Sequence, residues 1–463
     1  MSENLPSRKP VVALVGRTNV GKSTLFNRLT RERRAVVHLL PHVTRDRLFG
    51  EVPGKQRPFL LVDTGGIGEP ADDPLQKAVE TQARFAIEEA DLVVLVTDAL
   101  ETITGRDYAV ADLLRRSGKP VLLVANKAES PRADAEQFYA LRLGEPLAVS
   151  AKTGRNANAL LVAIRERLPA LPPPTEPAPG TVRLAVVGRP NVGKSSLVNA
   201  LLGQERMLVH EAPGTTRDAV DSCFSYDGRE IVIVDTAGIR RKPRVKEALD
   251  YYSTLRSYQA IGRCDVALIV LEGPVGITAQ DQRIAGHAHE AGKGCIVVVN
   301  KWDLVERLSR QSGKAIARQA QRDYERMLHT RLSFIAYAPI IFASAASGAG
   351  VPPIPSAALQ VAEARSRRVP TAEVNRALMA ATQAHQPPTR GSRSLKIRYA
   401  TQAETKPPRF VLFANDPELM SAAYLRYLEK SLRASLGFAR APIYFVLRQS
   451  PSTRRGQQRR PER

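Results

Sequence analysis

The chain has 463 residues, with 68 Lys and Arg against 46 Asp and Glu and a formal net charge of +22. That length excludes one ordinary core and predicts about three domains, and the charge exceeds what solubility asks for, pointing to a polyanionic partner such as nucleic acid or an acidic membrane surface. Cys223, Cys264 and Cys295 lack metal-ligand spacing and cannot all pair, and neither a signal-peptide pattern nor an apolar run of roughly 18 residues is present, so a disulfide-framed secreted module and a membrane-spanning protein are excluded in favour of a cytoplasmic one.

The first predicted element is a strand, VVALV, running into GRTNVGKS at 16–23 and then an amphipathic segment, STLFNRL. This is the phosphate-binding loop pattern between a strand and a helix. Gly16, Asn19 and Gly21 shape a loop whose backbone N–H groups wrap phosphates, Lys22 meets the terminal phosphates, Ser23 offers a hydroxyl to Mg²⁺, and Thr24 is a further nucleotide-binding candidate. Thr44 in HVTRD lies on a segment without periodicity, suited to closing over a γ-phosphate and Mg²⁺. Asp63 in DTGG ends the strand FLLV, where a carboxylate can hold the water shell of Mg²⁺, and Gly66 offers an amide to the γ-phosphate. DLVVLVTD, VADLLRRSG and KPVLLVANK then alternate strand, helix and strand, which predicts a mostly parallel sheet with helices on both faces.

Asn126-Lys127-Ala128-Glu129 and Ser150-Ala151-Lys152 each follow a predicted strand. A carboxylate in the first can accept from guanine N1–H and the exocyclic amine together, a pairing adenine does not offer. The lysine stem can cover the base. A backbone N–H of the second can meet guanine O6. Glu129 stands where the second copy has Asp303, and the added methylene predicts weaker guanine discrimination at the first site.

The whole set recurs. Beyond the proline-rich LPALPPPTEPAPG at 168–180, read as an extended linker, Gly188 lies 172 residues after Gly16, and the same spacing relates Thr44 to Thr216, Asp63 to Asp235 and Gly66 to Gly238. The second set is Gly188, Asn191, Gly193, Lys194, Ser195, Ser196, Thr216, Asp235, Gly238, Asn300-Lys301-Trp302-Asp303 and Ser344-Ala345-Ala346. One spacing shared by several motifs is a duplicated domain. The expected catalytic groups are Lys22, Thr44, Lys194 and Thr216, and the expected Mg²⁺ ligands are Ser23, Thr44, Asp63, Ser195, Thr216 and Asp235. The copies differ at His42 against Gly214 and Thr18 against Pro190, which predicts different closure of the first switch loop. Gly273-Pro274 interrupts a stretch matching VTDALETIT, where only loop geometry is expected to change.

From about residue 362 the alternation ends. EVNRALMAATQAH and PELMSAAYLRYLEKSLRASL are helical in pattern, while SLKIRYATQ, RFVLFAN and PIYFVLR are strand-like, which predicts a small α+β domain. Residues 362–463 together hold 20 Lys and Arg against 7 Asp and Glu, over half of the excess charge. STRRGQQRRPER reads as a disordered basic tail. The expected boundaries are 1–167 and 181–361 for the nucleotide domains, 168–180 for the linker, 362–450 for the basic domain and 451–463 for the tail.

Two such nucleotide domains and a small basic C-terminal domain resemble the Der (EngA) family of tandem GTPases over nearly the whole chain. The last domain resembles that family's KH-like domain through PPTRGSRSLKIRYATQ, KPPRFVLFAND and YLRYLEKSLR, although it contains no GxxG loop to clamp single-stranded RNA. The resemblance implies a GTPase using GTP/GDP and Mg²⁺ in assembly of the large ribosomal subunit, with ribosomal RNA as partner; a monomer is expected, since the sequence shows no heptad or alternating-charge interface. Ile67 and Ile239 stand where Ras-type enzymes carry a water-orienting glutamine, so that mechanism is absent. The resemblance supplies a substitute, Asn19 and Asn191 holding K⁺ beside the phosphates to neutralise developing charge. Two other readings stay open: a switch protein in which only the second domain hydrolyses GTP, and a peripheral GTPase held on anionic lipid by its basic end, although no amphipathic anchor or lipidation signal accompanies those charges.

Overall fold

The structure, a computed structural model, describes residues 9–31, 49–53, 57–64, 84, 86–169, 180–203, 208–211, 221–236, 248–310, 314–390 and 393–450. The first domain contains β1 (Val11–Val15), α1 (Lys22–Arg31), β2 (Phe49–Val52), β3 (Phe59–Asp63), β4 (Leu92–Asp98), α2 (Gly105–Ser117), β5 (Val121–Asn126), β6 (Leu147–Ala148) and α3 (Ala157–Arg167). Its strands run β2-β3-β1-β4-β5-β6, all parallel except the β2–β3 pair. Every residue of β1, β3 and β4 is buried, as unbroken Val/Leu runs demand when helices cover both faces. Alternate residues feed two cores: Val11, Ala13 and Val15 on one side, Val12 and Leu14 on the other.

The second domain repeats this plan with β7 (Val182–Val187), α4 (Lys194–Leu202), β8 (Leu208–Glu211), β9 (Ser222–Tyr226), β10 (Arg229–Val234), α5 (Ala248–Arg263), β11 (Val266–Glu272), α6 (Ala279–Glu290), β12 (Gly294–Asn300), α7 (Trp302–Arg310), α8 (Lys314–Arg331), β13 (Ile340–Phe342) and α9 (Pro353–Ser366). Its order is β13-β12-β11-β7-β10-β9-β8. In both sheets the central strand, β1 or β7, lies where the winding reverses direction, and ligands of such sheets sit beyond the carboxyl ends of the strands there.

The C-terminal part has α10 (Thr371–Ala384), a short ladder of β14 (Thr389–Arg390) and β15 (Arg393–Ser394), then β16 (Ile397–Thr405), β17 (Pro408–Ala414), α11 (Ala422–Ser435) and β18 (Tyr444–Gln449). β17 pairs antiparallel with β16 and parallel with β18. α10 and α11 cover one face of this sheet, burying Phe410, Leu412, Leu428, Leu432 and Phe438. The fold class is therefore two mostly parallel sheets flanked by helices plus a small α+β domain.

The parts touch. Tyr258 of α5 meets Phe49 of the first domain edge-on at 5.3 Å and stacks on His287 at 3.9 Å, and Arg256 pairs with Glu89 at 3.4 Å. At the other junction the Tyr444 hydroxyl donates to the His289 carbonyl, and the Pro407 ring lies against Gly292.

Candidate nucleotide sites

Each site is built at one sheet edge. Leu14 is in register with Asp63, and Asp98 with Asn126; in the second domain Glu272 is in register with Asn300. The turn after β1 places Gly16 at φ 154° and Gly21 at φ 93°, with Gly188 and Gly193 at 151° and 94°. A Cβ on Gly16 would lie 2.2 Å from the Val96 carbonyl oxygen, and one on Gly21 would lie 2.3 Å from the Asn126 amide; the values for Gly188 and Gly193 are 2.4 and 2.3 Å, against Val270 and Asn300. No side chain fits at these four positions, so glycine is required by contact as well as by φ. Lys22 Nζ donates to the carbonyls of Gly16 at 3.0 Å and Arg17 at 2.5 Å, and Lys194 repeats the contacts to Gly188 and Arg189 at 2.8 and 2.6 Å. Both ammonium groups are thus bent over the loop they belong to. Burial pushes the Lys22 ammonium down to about 8, with the Asp63 charge opposing.

The base loops are tied to the phosphate loops by the asparagines. Asn126 donates to the Val20 carbonyl at 2.8 Å and accepts from the Ala151 amide at 2.9 Å. Asn300 does the same with Val192 and Ala345, at 2.8 and 2.9 Å. The Ser150 and Ser344 amides bond to the carbonyls of Arg155 and Ala349, so in each triad the first two amides are engaged within the protein. Lys127 and Lys301 follow in the left-handed region, at φ 66° and 58°; Lys127 pairs with Asp98, and Lys301 with Glu272 at 2.7 Å. Glu129 is exposed on a turn, and the Ser150 hydroxyl holds its carboxyl below the usual range. Asp303 instead sits in the first turn of α7.

Asp63 is buried, with one carboxylate oxygen, Oδ1, lacking any hydrogen-bond partner among the described residues. Burial raises its carboxyl above the usual range, opposed by a bond from the Ser23 hydroxyl and by the Lys22 charge. A buried, unmatched carboxylate oxygen beside a serine hydroxyl is a donor set that suits a hydrated divalent cation. Ser195 and Asp235 are their sequence equivalents, 172 residues on. Asp235 has φ 60°, and its amide donates at 2.9 Å to Asp221, which Arg263 holds at 2.6 Å. Ser23, Thr24, Ser195 and Ser196 are exposed on the first turns of α1 and α4, and Asn19 and Asn191 are exposed at φ 66° and 64° on the loop crests. Thr44, Gly66, Thr216 and Gly238, together with His42, Gly214, Ile67 and Ile239, lie outside the described residues.

Three sets of supporting residues escaped the motif reading. Arg17 and Arg189, inside the loops, turn away and bind Asp107 at 2.9 Å and Asp281 at 3.0 Å. Each aspartate also closes the capping box of its helix with Thr104 or Thr278, so the T-x-x-D spacing was the available signal. Asp98 and Glu272, which hold the lysines, could have been found as acids ending buried strands. Arg28, which donates at 2.6 Å to the carbonyls of Ala151 and Lys152, carried no signal because its partners are main-chain atoms 123 and 124 residues away.

The family described as "50S ribosome-binding GTPase" matches residues 11–127 and 183–301, and "KH-domain-like of EngA bacterial GTPase enzymes, C-terminal" matches 368–448. The chain is similar to the GTPase Der of Desulforudis audaxviator, 50% identical over 449 residues, covering 96% of this chain and 99% of that protein. It is 46% identical over 441 residues to the GTPase Der of Desulforamulus reducens, covering 95% and 98%. Among solved structures, an Era variant of Aquifex aeolicus bound to GDP and AlF4⁻ is 26% identical, covering 46% of this chain and 74% of that one with a TM-score of 0.30.

Proposed function

Since the chain belongs to the Der (EngA) family of GTPases, we propose that both of its sites hydrolyse GTP with Mg²⁺ and that the protein acts in the cytoplasm, as a monomer, in assembly of the large ribosomal subunit. The observation that carries the enzymatic part is the duplicated geometry: Lys22 and Lys194, Asn126 and Asn300, and four side-chain-intolerant glycines occupy matching places to within a few tenths of an ångström in their contacts. Ser23 with Asp63, and Ser195 with Asp235, would hold Mg²⁺, with Thr44 and Thr216 closing over it. That ion supplies charge neutralisation at the terminal phosphates. Lys22 and Lys194, already bent over their loops, offset the charge that develops as the terminal phosphoryl departs. Asn19 and Asn191 would hold K⁺ beside the phosphates; equal hydrolysis rates in K⁺ and Na⁺ would sink that assignment.

Guanine is selected by Glu129 and Asp303, with Lys127 and Lys301 laid along the base and the triad amides at O6. The ribosomal part rests on the family and on the basic C-terminal domain. It is tested by sedimenting the protein with purified ribosomal subunits under GDP, GTP and a non-hydrolysable GTP analogue at two salt concentrations. The expected result is nucleotide-dependent association with the large subunit. Salt-sensitive binding indifferent to subunit and nucleotide would reduce the protein to a basic GTPase with another polyanionic partner.

A further inference from the structure

In both copies the phosphate-loop lysine donates to two carbonyls of its own loop, and the shorter bond goes to the arginine. The distance from Lys22 is 2.5 Å to Arg17 against 3.0 Å to Gly16, and from Lys194 it is 2.6 Å to Arg189 against 2.8 Å to Gly188. An ammonium has three N–H donors in tetrahedral array. With two of them on carbonyls, the direction of the third is fixed, so whatever fixes the carbonyls aims the lysine.

Each carbonyl is fixed by a different part of the fold. Gly16 lies against β4, where a Cβ would come within 2.2 Å of the Val96 carbonyl oxygen, and Gly188 lies against β11 in the same way, at 2.4 Å from that of Val270. Arg17 is anchored through its side chain instead. Its Nε donates to Oδ1 of Asp107 at 2.9 Å, while Oδ2 of that aspartate accepts from the amide and hydroxyl of Thr104 at 2.9 and 2.7 Å. Arg189 Nε donates to both oxygens of Asp281 at 3.1 and 3.0 Å, and Thr278 supplies the same two donors at 2.9 and 2.8 Å. Both aspartates are buried, and both belong to the capping boxes that start α2 and α6, so each arginine is tied to the rigid first turn of a helix. The copies differ in a second contact. Arg17 also pairs with Glu101 at 2.9 Å, whereas the place of Glu101 is taken by Val275, by the 174-residue spacing that relates Asp107 to Asp281. The aspartate is therefore the anchor common to both.

We infer that Arg17 and Arg189 are positioning residues for GTP hydrolysis: each is held by the capping aspartate of α2 or α6, so that its own carbonyl sets the direction of the third N–H of Lys22 or Lys194, the one that serves the terminal phosphates. The inference rests on the role proposed for the two lysines and states how that role is kept in register. Without the anchor the arginine peptide turns, the ammonium swings about the glycine carbonyl, and the nucleotide still binds while its alignment for phosphoryl transfer is lost.

The test is single-turnover hydrolysis at saturating GTP, read at the first site in a Lys194→Ala background and at the second in a Lys22→Ala background. Arg17→Ala alone would leave Asp107 buried without its cation, which destabilises the fold. Arg17→Met combined with Asp107→Asn removes both charges together and keeps a side-chain oxygen for Thr104. This pair should lower the hydrolysis rate about tenfold while GDP affinity changes by less than about threefold, and Arg189→Met with Asp281→Asn should do the same at the second site. Arg17→Lys, which leaves Asp107 a cation, should retain about half of the wild-type rate or more. Added to Lys22→Ala, the Arg17→Met, Asp107→Asn pair should slow hydrolysis by less than about twofold further, because it acts through the lysine. A tenfold loss that persists on Lys22→Ala would overturn the inference, as would a loss confined to GDP affinity. Slow hydrolysis in Lys22→Ala with the paired variants running at the wild-type rate removes this inference and keeps the lysine's role; Lys22→Ala at the wild-type rate removes both.

Discussion

The two nucleotide domains agree closely at the phosphate end of their sites and differ at the base end. Each phosphate loop is enclosed by contacts that leave no room for a side chain, so duplication followed by drift has had little freedom there. Around the base the same asparagine ties persist, but their surroundings have diverged. In the second domain Trp302 is buried against Phe342 at 4.4 Å and Tyr324 at 5.4 Å, and Asp303 rides on the helix this cluster anchors. In the first, Ala128 is buried and Glu129 is exposed on the same turn, and Arg28 holds the neighbouring loop from α1. Where the backbone itself shapes the loop, geometry admits almost no alternatives; where side chains support it, several arrangements can perform one task.

The largest expected effect tests the shared part. Lys22→Ala and Lys194→Ala, made separately, should each lower single-turnover hydrolysis at their own site by about 10² to 10³, leaving the other site running. If one variant leaves total turnover untouched, that domain only binds nucleotide and the comparison is between an enzyme and a regulatory module. Next in size are Asn126→Ala and Asn300→Ala. Each removes two hydrogen bonds, both buried for Asn126 and one buried and one part-buried for Asn300, and strands their partners at about 1–3 kcal/mol per unsatisfied group, so GDP affinity at the altered site should fall roughly a hundredfold in both domains. Unequal losses, measured by titration calorimetry, would show that the ties are not equivalent.

Protonation sharpens the comparison further. In the first site the Lys22 ammonium is destabilised by burial and titrates at about 8 instead of 10.5. The folded protein therefore sheds this proton before the unfolded chain does, so the cost of burying the charge is present in full below about pH 8 and is relieved as pH rises toward 10.5. Phosphates favour the charged form, so binding above about pH 8 must take up a proton, and GDP affinity measured in the Lys194→Ala background should fall up to about tenfold per pH unit there. A flat profile from pH 7 to 9.5 would show that Lys22 keeps its charge in the nucleotide-free protein.

How much of this was legible before the structure follows the same division. The P-loop glycines, lysines and asparagines were readable because one backbone geometry demands those residue types at those spacings, and the 172-residue repeat showed it twice. The two parallel sheets followed from unbroken apolar runs such as LVVLV and CIVVV. The supports were not readable. Asp221, which holds the amide of Asp235, and Arg28, which binds carbonyls, act through main-chain atoms distant in sequence. In the C-terminal domain the stacking of Tyr399 on Phe413, 4.2 Å between ring centroids, depends on a strand register with two shifts along β16 and β17, which alternation of apolar residues alone does not determine.

The smallest effects belong to the base end of the first site. Glu129→Asp shortens the carboxylate by one methylene and should improve discrimination of GTP over ITP, which lacks the 2-amino group, by about tenfold, the low end of the roughly 1–3 kcal/mol a methylene is worth, because Glu129 is exposed. Arg28→Ala should act more weakly still and only on the first domain. Its guanidinium bonds two carbonyls of the loop carrying Ser150 to Lys152, and it lies so close to Gly154 that a Cβ there would come within 2.9 Å of it. The second domain has Ala200 at the equivalent place, 172 residues on, and holds its base loop through α7 and Trp302 instead. Arg28 is partly exposed, so its two charge-assisted bonds are worth less than the roughly 1.5–3 kcal/mol each of buried ones. The expected outcome is GDP release from the first site accelerated about three- to tenfold, with release from the second unchanged, read by stopped-flow fluorescence of a labelled GDP in Lys194→Ala and Lys22→Ala backgrounds. If both sites respond, the base loops are coupled across the Phe49–Tyr258 contact, and the domains cannot be treated as separately supported.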